Sequence, residues 1–183
     1  ADTPGNTLYP ERQVSFITTG VEYGLHCLTY LVGAPHGARE ASVRDLAQLQ
    51  GVPADFLAKV FTKLRRAGLV HASEGIRGGF SLARPAASIS VLDVVEAIDG
   101  KRSLFECNEI RGNCAVFQGH APRWATTGVC SIHAVMLEAE KQMRRSLAQH
   151  SIAGLADELA DLGVLRGLLP GRCQHRAGFG IAA

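Results

Sequence analysis

Three cysteines, Cys107, Cys114 and Cys130, are separated by six and then fifteen intervening residues, the first two within the stretch FECNEIRGNCAVFQG. Thiolates are nucleophiles and metal ligands, and two thiols can close a disulfide, so a trio in one region is the chain's most evident chemistry. No pair has the CxxC spacing of a zinc knuckle or a thioredoxin-like redox site. The surrounding residues, rich in Asn, Gly and Gln, repeat with neither the helix nor the strand period, which places the cysteines on an irregular loop. The chain's other two cysteines differ in kind. Cys27 falls on an amphipathic segment and reads as a small buried hydrophobe, and Cys173 lies in an unpatterned tail and takes no role.

The second chemistry is charge. A net charge of +2 over 183 residues announces no polyanionic partner by itself. Its distribution is more telling: between Ser42 and Arg84, seven basic residues (Arg44, Lys59, Lys63, Arg65, Arg66, Arg77 and Arg84) stand against three acidic ones (Asp45, Asp55 and Glu74). That segment is a candidate polyanion-binding face. Catalytic motifs leave no comparable trace. There is no Ser-His-Asp order, paired-carboxylate motif, GxxxxGK loop or dinucleotide fingerprint, and an enzyme is not expected.

The elements that must position these residues follow from hydrophobic periodicity. Val21, Leu25, Leu28 and Val32 recur at helical spacing and predict a helix from Thr18 to Val32. Ser42 stands as an N-cap before Val43, Leu46 and Leu49, Gly51 supplies a turn, and Pro53 opens a second helix. That helix carries Phe56, Leu57, Val60, Phe61 and Leu64 until Gly68 stops it. Two short helices about a tight glycine turn make a helix-turn-helix. LVHASEGIRGGFSLAR then reads as two short strands around a turn containing Gly75, Gly78 and Gly79, a wing. Val91, Val94, Val95 and Ile98 predict a short core helix. Ile132, Val135, Met136, Ala139, Met143 and Leu147 form one stripe on a long helix from Ser131 to His150, and this helix is assigned to an isologous dimer interface.

The expected fold is therefore mainly α with a small β wing: a winged helix-turn-helix domain plus a long dimerisation helix. Residues 1–13 form a flexible leader, 14–100 the DNA-binding domain, 101–130 the cysteine loop, 131–160 the dimerisation helix and following segment, and 161–183 a tail. The chain is long enough to fold around one core without disulfides. ADTPGNTLYPERQ lacks the basic and apolar regions of a signal peptide, and no apolar run of 18 residues could span a bilayer. A cytoplasmic protein with reduced thiols and no membrane partner is expected.

Taken in order, EYGLHCLTYLV, LAQLQGVPADFLAKVFTKLRRAGLV, GIRGGFSLARPAASISVLDVVEAIDG, the cysteine loop and CSIHAVMLEAEKQMRRSLAQHSIAGLADELA resemble the Rrf2 family of winged-helix regulators, over about residues 14 to 160. The resemblance implies a dimeric bacterial transcription factor, a repressor, binding a double-stranded DNA operator. It further implies an iron–sulfur cluster, 2Fe–2S ahead of 4Fe–4S, held by Cys107, Cys114 and Cys130 and sensing redox, nitric oxide or iron status. His133, three residues after Cys130, is one candidate for the remaining coordination. Glu22 and His26, at i and i+4 on one helix face, match a carboxylate–histidine pair with which some members bind the cluster across subunits, and they stand ahead of His133. The chain departs from the family's pattern in three places: the second cysteine gap is long, Glu74 stands where relatives carry an arginine for the minor groove, with Arg77 three residues on, and Ala58 occupies the place of a base-discriminating glutamate.

In such a domain the helix from Pro53 to Arg66 enters the major groove with Asp55 and Lys59 near base edges. Lys63, Arg65, Arg66 and Arg77 meet phosphate or the minor groove, and Arg44 belongs to the same face. The residues taken alone leave other switches open: a zinc-bound or apo winged-helix regulator, or a disulfide between Cys107 and Cys114.

Overall fold

The computed structural model describes residues 15–32, 40–73, 75 and 78–161. The expected leader, the tail with Cys173, and Glu74 and Arg77 lie outside the described residues. The first helix, α1 (Thr19–Leu31), is followed by α2 (Val43–Gln50), α3 (Ala54–Arg66), β1 (Val70–Ala72), β2 (Phe80–Leu82), α4 (Val91–Asp99), the four-residue α5 (Arg123–Thr126), α6 (Ser131–Gln149) and α7 (Ile152–Asp161). This is the mainly α architecture with a two-stranded wing that the periodicity predicts. No helix among the described residues is long and apolar enough to cross a membrane.

Local chemistry sets the ends of the helix-turn-helix. The Ser42 hydroxyl accepts the Asp45 backbone N–H at 3.1 Å, satisfying one orphan donor of α2. Gly51, at φ 66°, ends α2 in the left-handed region, and Val52 N–H returns to the Ala47 carbonyl. Gly68, at φ 69°, ends α3 in the same way, with Leu69 N–H on the Leu64 carbonyl and Gly68 N–H on that of Arg65. Helix α3 buries Leu57, Val60, Phe61 and Leu64. Phe56, expected on that stripe, lies at its exposed edge, because positions 57, 60, 61 and 64 already fill the inward face at 3.6 residues per turn. Its ring instead meets Tyr23 of α1 edge-on, centroids 5.7 Å apart.

The wing is an antiparallel pair with Val70 opposite Leu82 and Ala72 opposite Phe80. Ala41, just before α2, exchanges both backbone hydrogen bonds with Phe80, at 3.1 and 2.8 Å, tying the wing to the start of the helix-turn-helix. The approach requires glycine at 79: a Cβ there would lie 2.8 Å from the carbonyl carbon and oxygen of Ala41, backbone atoms that cannot swing aside.

One core gathers Leu28 and Leu31 of α1, Leu46 of α2, Leu57, Phe61 and Leu64 of α3, Leu69 and Val70 at the wing, Ile89, and Val94 of α4. Ser90 and Asp93 form a capping box at the start of α4. The segment after the long helix, not assigned a structure from sequence, is α7. It packs on α1, and its Ile152 is fully buried in the same core. A single antiparallel bridge between Ser90 and Ser151 brings it there: Val91 N–H donates to the His150 carbonyl and Ile152 N–H to the Ile89 carbonyl, each at 2.9 Å. Helix α6 differs from the rest, with none of its 19 residues buried.

Candidate nucleic-acid interface and cysteine loop

The buried stripe of α3 dictates what its other side presents. Asp55, Lys59, Thr62 and Arg66, at i, i+4, i+7 and i+11, run in a line along the exposed side, with Ala58, Lys63 and Arg65 flanking them. Thr62 escaped the charge-based reading, although its place on the polar face was a signal. Its hydroxyl donates to the Ala58 carbonyl at 2.8 Å, and its lone pairs remain open to an incoming donor. Arg44 is exposed in the first turn of α2. On the neighbouring wing, His71 and Ser81 face each other with Nε2 and Oγ 3.0 Å apart.

Electrostatics separates this face from much of the remaining surface. Arg84, Lys101, Arg111, Lys141 and Arg144 each lie against a carboxylate. Among the described residues no ion pair or hydrogen bond engages the charged groups of Arg44, Lys59, Arg65 or Arg66. These four groups thus have no carboxylate in contact, and among the described residues neither do Arg102, Arg123 and Arg145 elsewhere, but here they cluster on the exposed side of the helix-turn-helix, as a surface that exchanges counterions for phosphates requires. Lys63 is placed differently. Its ammonium donates to the Ile98 carbonyl at 2.6 Å, at the negative end of α4.

Residues 101–130 are irregular, as their composition implies, with a short 3-10 turn at Ala115–Phe117 and the single turn of α5. Arg111 stitches the two ends of the loop: its guanidinium donates to the Glu109 carboxylate at 3.0 Å and the Gly128 carbonyl at 2.9 Å. Glu109 lies two residues after Cys107, and Gly128 two before Cys130. Cys107 and Cys130 are half-buried, Cys114 is exposed, and all three thiols are free. The Cys107 Sγ lies 3.8 Å from the Glu109 carboxylate. Cys27 is fully enclosed, and burial pushes its thiol pKa up to about 12, so it stays protonated at neutral pH and acts as the core hydrophobe its position predicts.

The candidates for a fourth ligand are divided. His133, half-buried in the first turn of α6, packs its ring against Phe105 with centroids 5.9 Å apart, beside the start of the loop in its own chain. Glu22 and His26 are exposed on α1, a helix that packs on α3, α4, α7 and the wing. Among the described residues no three His, Cys, Asp or Glu side chains converge into a set that could hold a metal ion. Cys107, Cys114 and Cys130 thus share one stitched loop without forming a ready ligand triangle. The donors are of the right type for an iron–sulfur cluster, three unpaired thiols and a nearby imidazole, and in metal sites of this kind the final arrangement commonly forms with the metal.

Comparison with known proteins agrees with this geometry. The family model Rrf2, described as an iron-dependent transcriptional regulator, matches residues 17–158. Protein rrf2 of Nitratidesulfovibrio vulgaris strain Hildenborough is 35% identical over 140 residues, covering 76% of this chain and 85% of that protein. Among solved structures, the B. subtilis global cysteine regulator CymR superposes with a TM-score of 0.62 at 21% identity, covering 79% of this chain and 98% of that one. IscR of T. potens gives 0.57 at 20% identity, with 86% and 95% covered. With its helix-turn-helix, wing, cysteine loop and long helix in one order, the chain belongs to the Rrf2 family of transcriptional regulators.

Proposed function

We propose that this regulator is a homodimer that binds a duplex operator with α3 and the wing, and that the state of its cysteine loop sets its affinity. The observation that carries the DNA reading is the clustering of Arg44, Lys59, Arg65 and Arg66, with no carboxylate in contact, beside the exposed line Asp55–Lys59–Thr62–Arg66. In this reading the N-terminal part of α3, with Asp55 and Lys59, faces base edges, while Arg44, Arg65 and Arg66 take phosphates. Arg65→Ala is expected to weaken binding to all sequences alike. It should also make the dependence of log affinity on log salt shallower by about 0.9 for each phosphate no longer neutralised, counted twice in a dimer. Anisotropy titrations over a salt series check this; an unchanged slope removes Arg65 from the phosphate set, and salt-independent binding rejects the DNA reading.

Dimerisation is supported by α6, which exposes Ile132 and Val135 by 61% and 66% and buries none of its residues within the chain. Exposed apolar side chains aligned on one helix face are characteristic of a surface covered by a partner. Ile132→Glu combined with Val135→Glu is expected to give a folded monomer in sedimentation, because neither side chain supports the chain's own core. A dimer that persists places the interface elsewhere.

For the loop, an iron–sulfur cluster is the group its thiols suit best. Cys107, Cys114 and Cys130 would hold it, with Glu22 and His26, from the partner's first helix, or His133 supplying the remaining coordination. When bound it would supply a redox-active, nitric-oxide-reactive centre. What the chain itself contributes is a loop stitched by Arg111 and joined to α6, so that ligation or its loss alters the loop's shape. The second reading, a thiol–disulfide switch, is favoured by free Cys107 and Cys114 that do not converge on a metal-binding set. Visible absorption with iron and sulfide analysis after anaerobic purification separates the two, and zinc in the same analysis marks a third.

A further inference from the structure

The last turn of α4 is a junction. The Asp99 carboxylate accepts the backbone N–H of Thr18 at 2.9 Å and its hydroxyl at 2.6 Å, holding the start of α1. One residue earlier, the Ile98 carbonyl accepts the Lys63 ammonium of α3. Glu96, one turn back, pairs with Arg144 of α6, and Lys101 lies 3.8 Å from the same carboxylate. Arg144 in turn lies 4.0 Å from Glu140, whose carboxylate accepts the backbone N–H of Leu104 at 3.0 Å. Leu104 is three residues before Cys107. A continuous set of polar contacts therefore runs from the cysteine loop through Glu140, Arg144 and Glu96 to α4, and from α4 through Lys63 to the helix that faces DNA.

These contacts differ from ordinary surface pairs. The side chains of Glu140 and Glu96 are only 19% and 22% exposed, so solvent and salt screen them less than free ion pairs. Helix α4 is itself held as one rigid element in the core by Val91, Val94, Val95 and Ile98. A group displaced at one end of such an element shifts what is attached at the other.

We propose that Glu140 and Arg144 clamp the cysteine loop to α4, and that Lys63 carries the position of α4 to α3, making the three positioning residues for operator binding. Lys63, which the sequence marks for phosphate, is assigned to this tie instead. The proposal rests on the reading of the loop as the element that sets operator affinity.

The test is a double-mutant cycle on operator dissociation constants, measured with anaerobically purified full-length dimer. Cys107→Ala perturbs the loop, and Arg144→Gln opens the clamp. Glutamine keeps most of the side-chain stem, and Lys101 remains beside Glu96, so the variant retains its fold; Glu140→Ala, which removes the acceptor of the exposed Leu104 N–H, is the second opener. In the native background Cys107→Ala is expected to change the dissociation constant by a factor of about 5–150. In either opened background the change should shrink to about twofold, the margin within which independent sites add. The same large factor in all backgrounds overturns the clamp and leaves the loop's control intact, whereas no factor in any background overturns both. Lys63→Ala should shrink the factor as the openers do and leave the salt slope unchanged. A shallower slope with an undiminished factor would return Lys63 to phosphate and break the last link.

Discussion

Replacing any one of Cys107, Cys114 and Cys130 with alanine is expected to abolish the visible absorption and the bound iron and sulfide of the anaerobically purified protein, while Cys27→Ala and Cys173→Ala leave all three unchanged. The contrast follows from the state of each thiol. The three loop cysteines are free and reach the surface or half reach it, on a segment whose ends Arg111 holds together. Cys27 is sealed in the core, where burial also pushes its thiol pKa up to about 12, and a metal could reach it only by opening the core. Loss of the spectrum in the Cys27 variant would signal damage to the core instead of a missing ligand. The fourth position is read by two further variants. Glu22→Gln with His26→Ala is expected to alter both spectrum and operator affinity, with His133→Ala altering neither, as a site shared between subunits requires. The reverse pattern would place the remaining ligand inside one chain, where Phe105 already packs on His133. A protein that carries no iron in any form, and in which oxidation joins Cys107 to Cys114, would replace the cluster with the thiol switch.

Ile152→Ala is expected to destabilise the DNA-binding domain by about 2–5 kcal/mol, the range for truncating a fully buried aliphatic side chain. Domains of this size are stable by only about 5–15 kcal/mol in total, so the variant should populate unfolded chains at moderate temperature. The residue lies beyond the long helix, outside what the sequence assigns to the DNA-binding unit, yet it has no solvent exposure and belongs to the cluster that includes Leu28, Phe61 and Val94. Urea unfolding monitored by circular dichroism measures the loss. A change below about 1 kcal/mol, the level of an ordinary surface substitution or weak contact, would show that α7 is not part of the folding unit.

Helix α7, to which the sequence assigns no structure, shows where periodicity stops being informative. Ile152, Leu155, Ala156 and Leu159 do recur at helical spacing, but a stripe announces only that a helix has an apolar face and not which core receives it. The break between α6 and α7 contains neither glycine nor proline. It is made by hydrogen bonds between His150 and Val91 and between Ile152 and Ile89, partners some sixty residues distant that no local pattern encodes. By contrast, the helix-turn-helix was legible almost to the residue, because Ser42, Gly51, Pro53 and Gly68 end its helices through local backbone chemistry. The candidate site divides in the same way. The exposed line on α3 follows from its buried stripe, and Cys27 was placed correctly by its helical spacing. The engagement of Lys63 with Ile98, and the Arg111 stitch across the loop, depend on where distant backbone carbonyls end up.

Helix α6 is fastened at one end. Arg144 and Leu147 sit against α4 and the core, and the chain then turns directly into α7, while the other end carries the cysteine loop, with Phe105 on His133, and leaves Ile132 and Val135 open to solvent. Mechanically it is a cantilever. From Ser131 to Arg144 the free arm is about 20 Å long at 1.5 Å per residue. A displacement of about 1–2 Å at the tip, of the size by which helices shift at subunit interfaces, becomes a tilt of about 3–6° at the root. A loop that changed shape on such a beam, as proposed above, would deliver torque and little translation to the domain that anchors it. In the proposed dimer, two beams joined at their free ends would convert that torque into a change of angle between the two helix-turn-helix units.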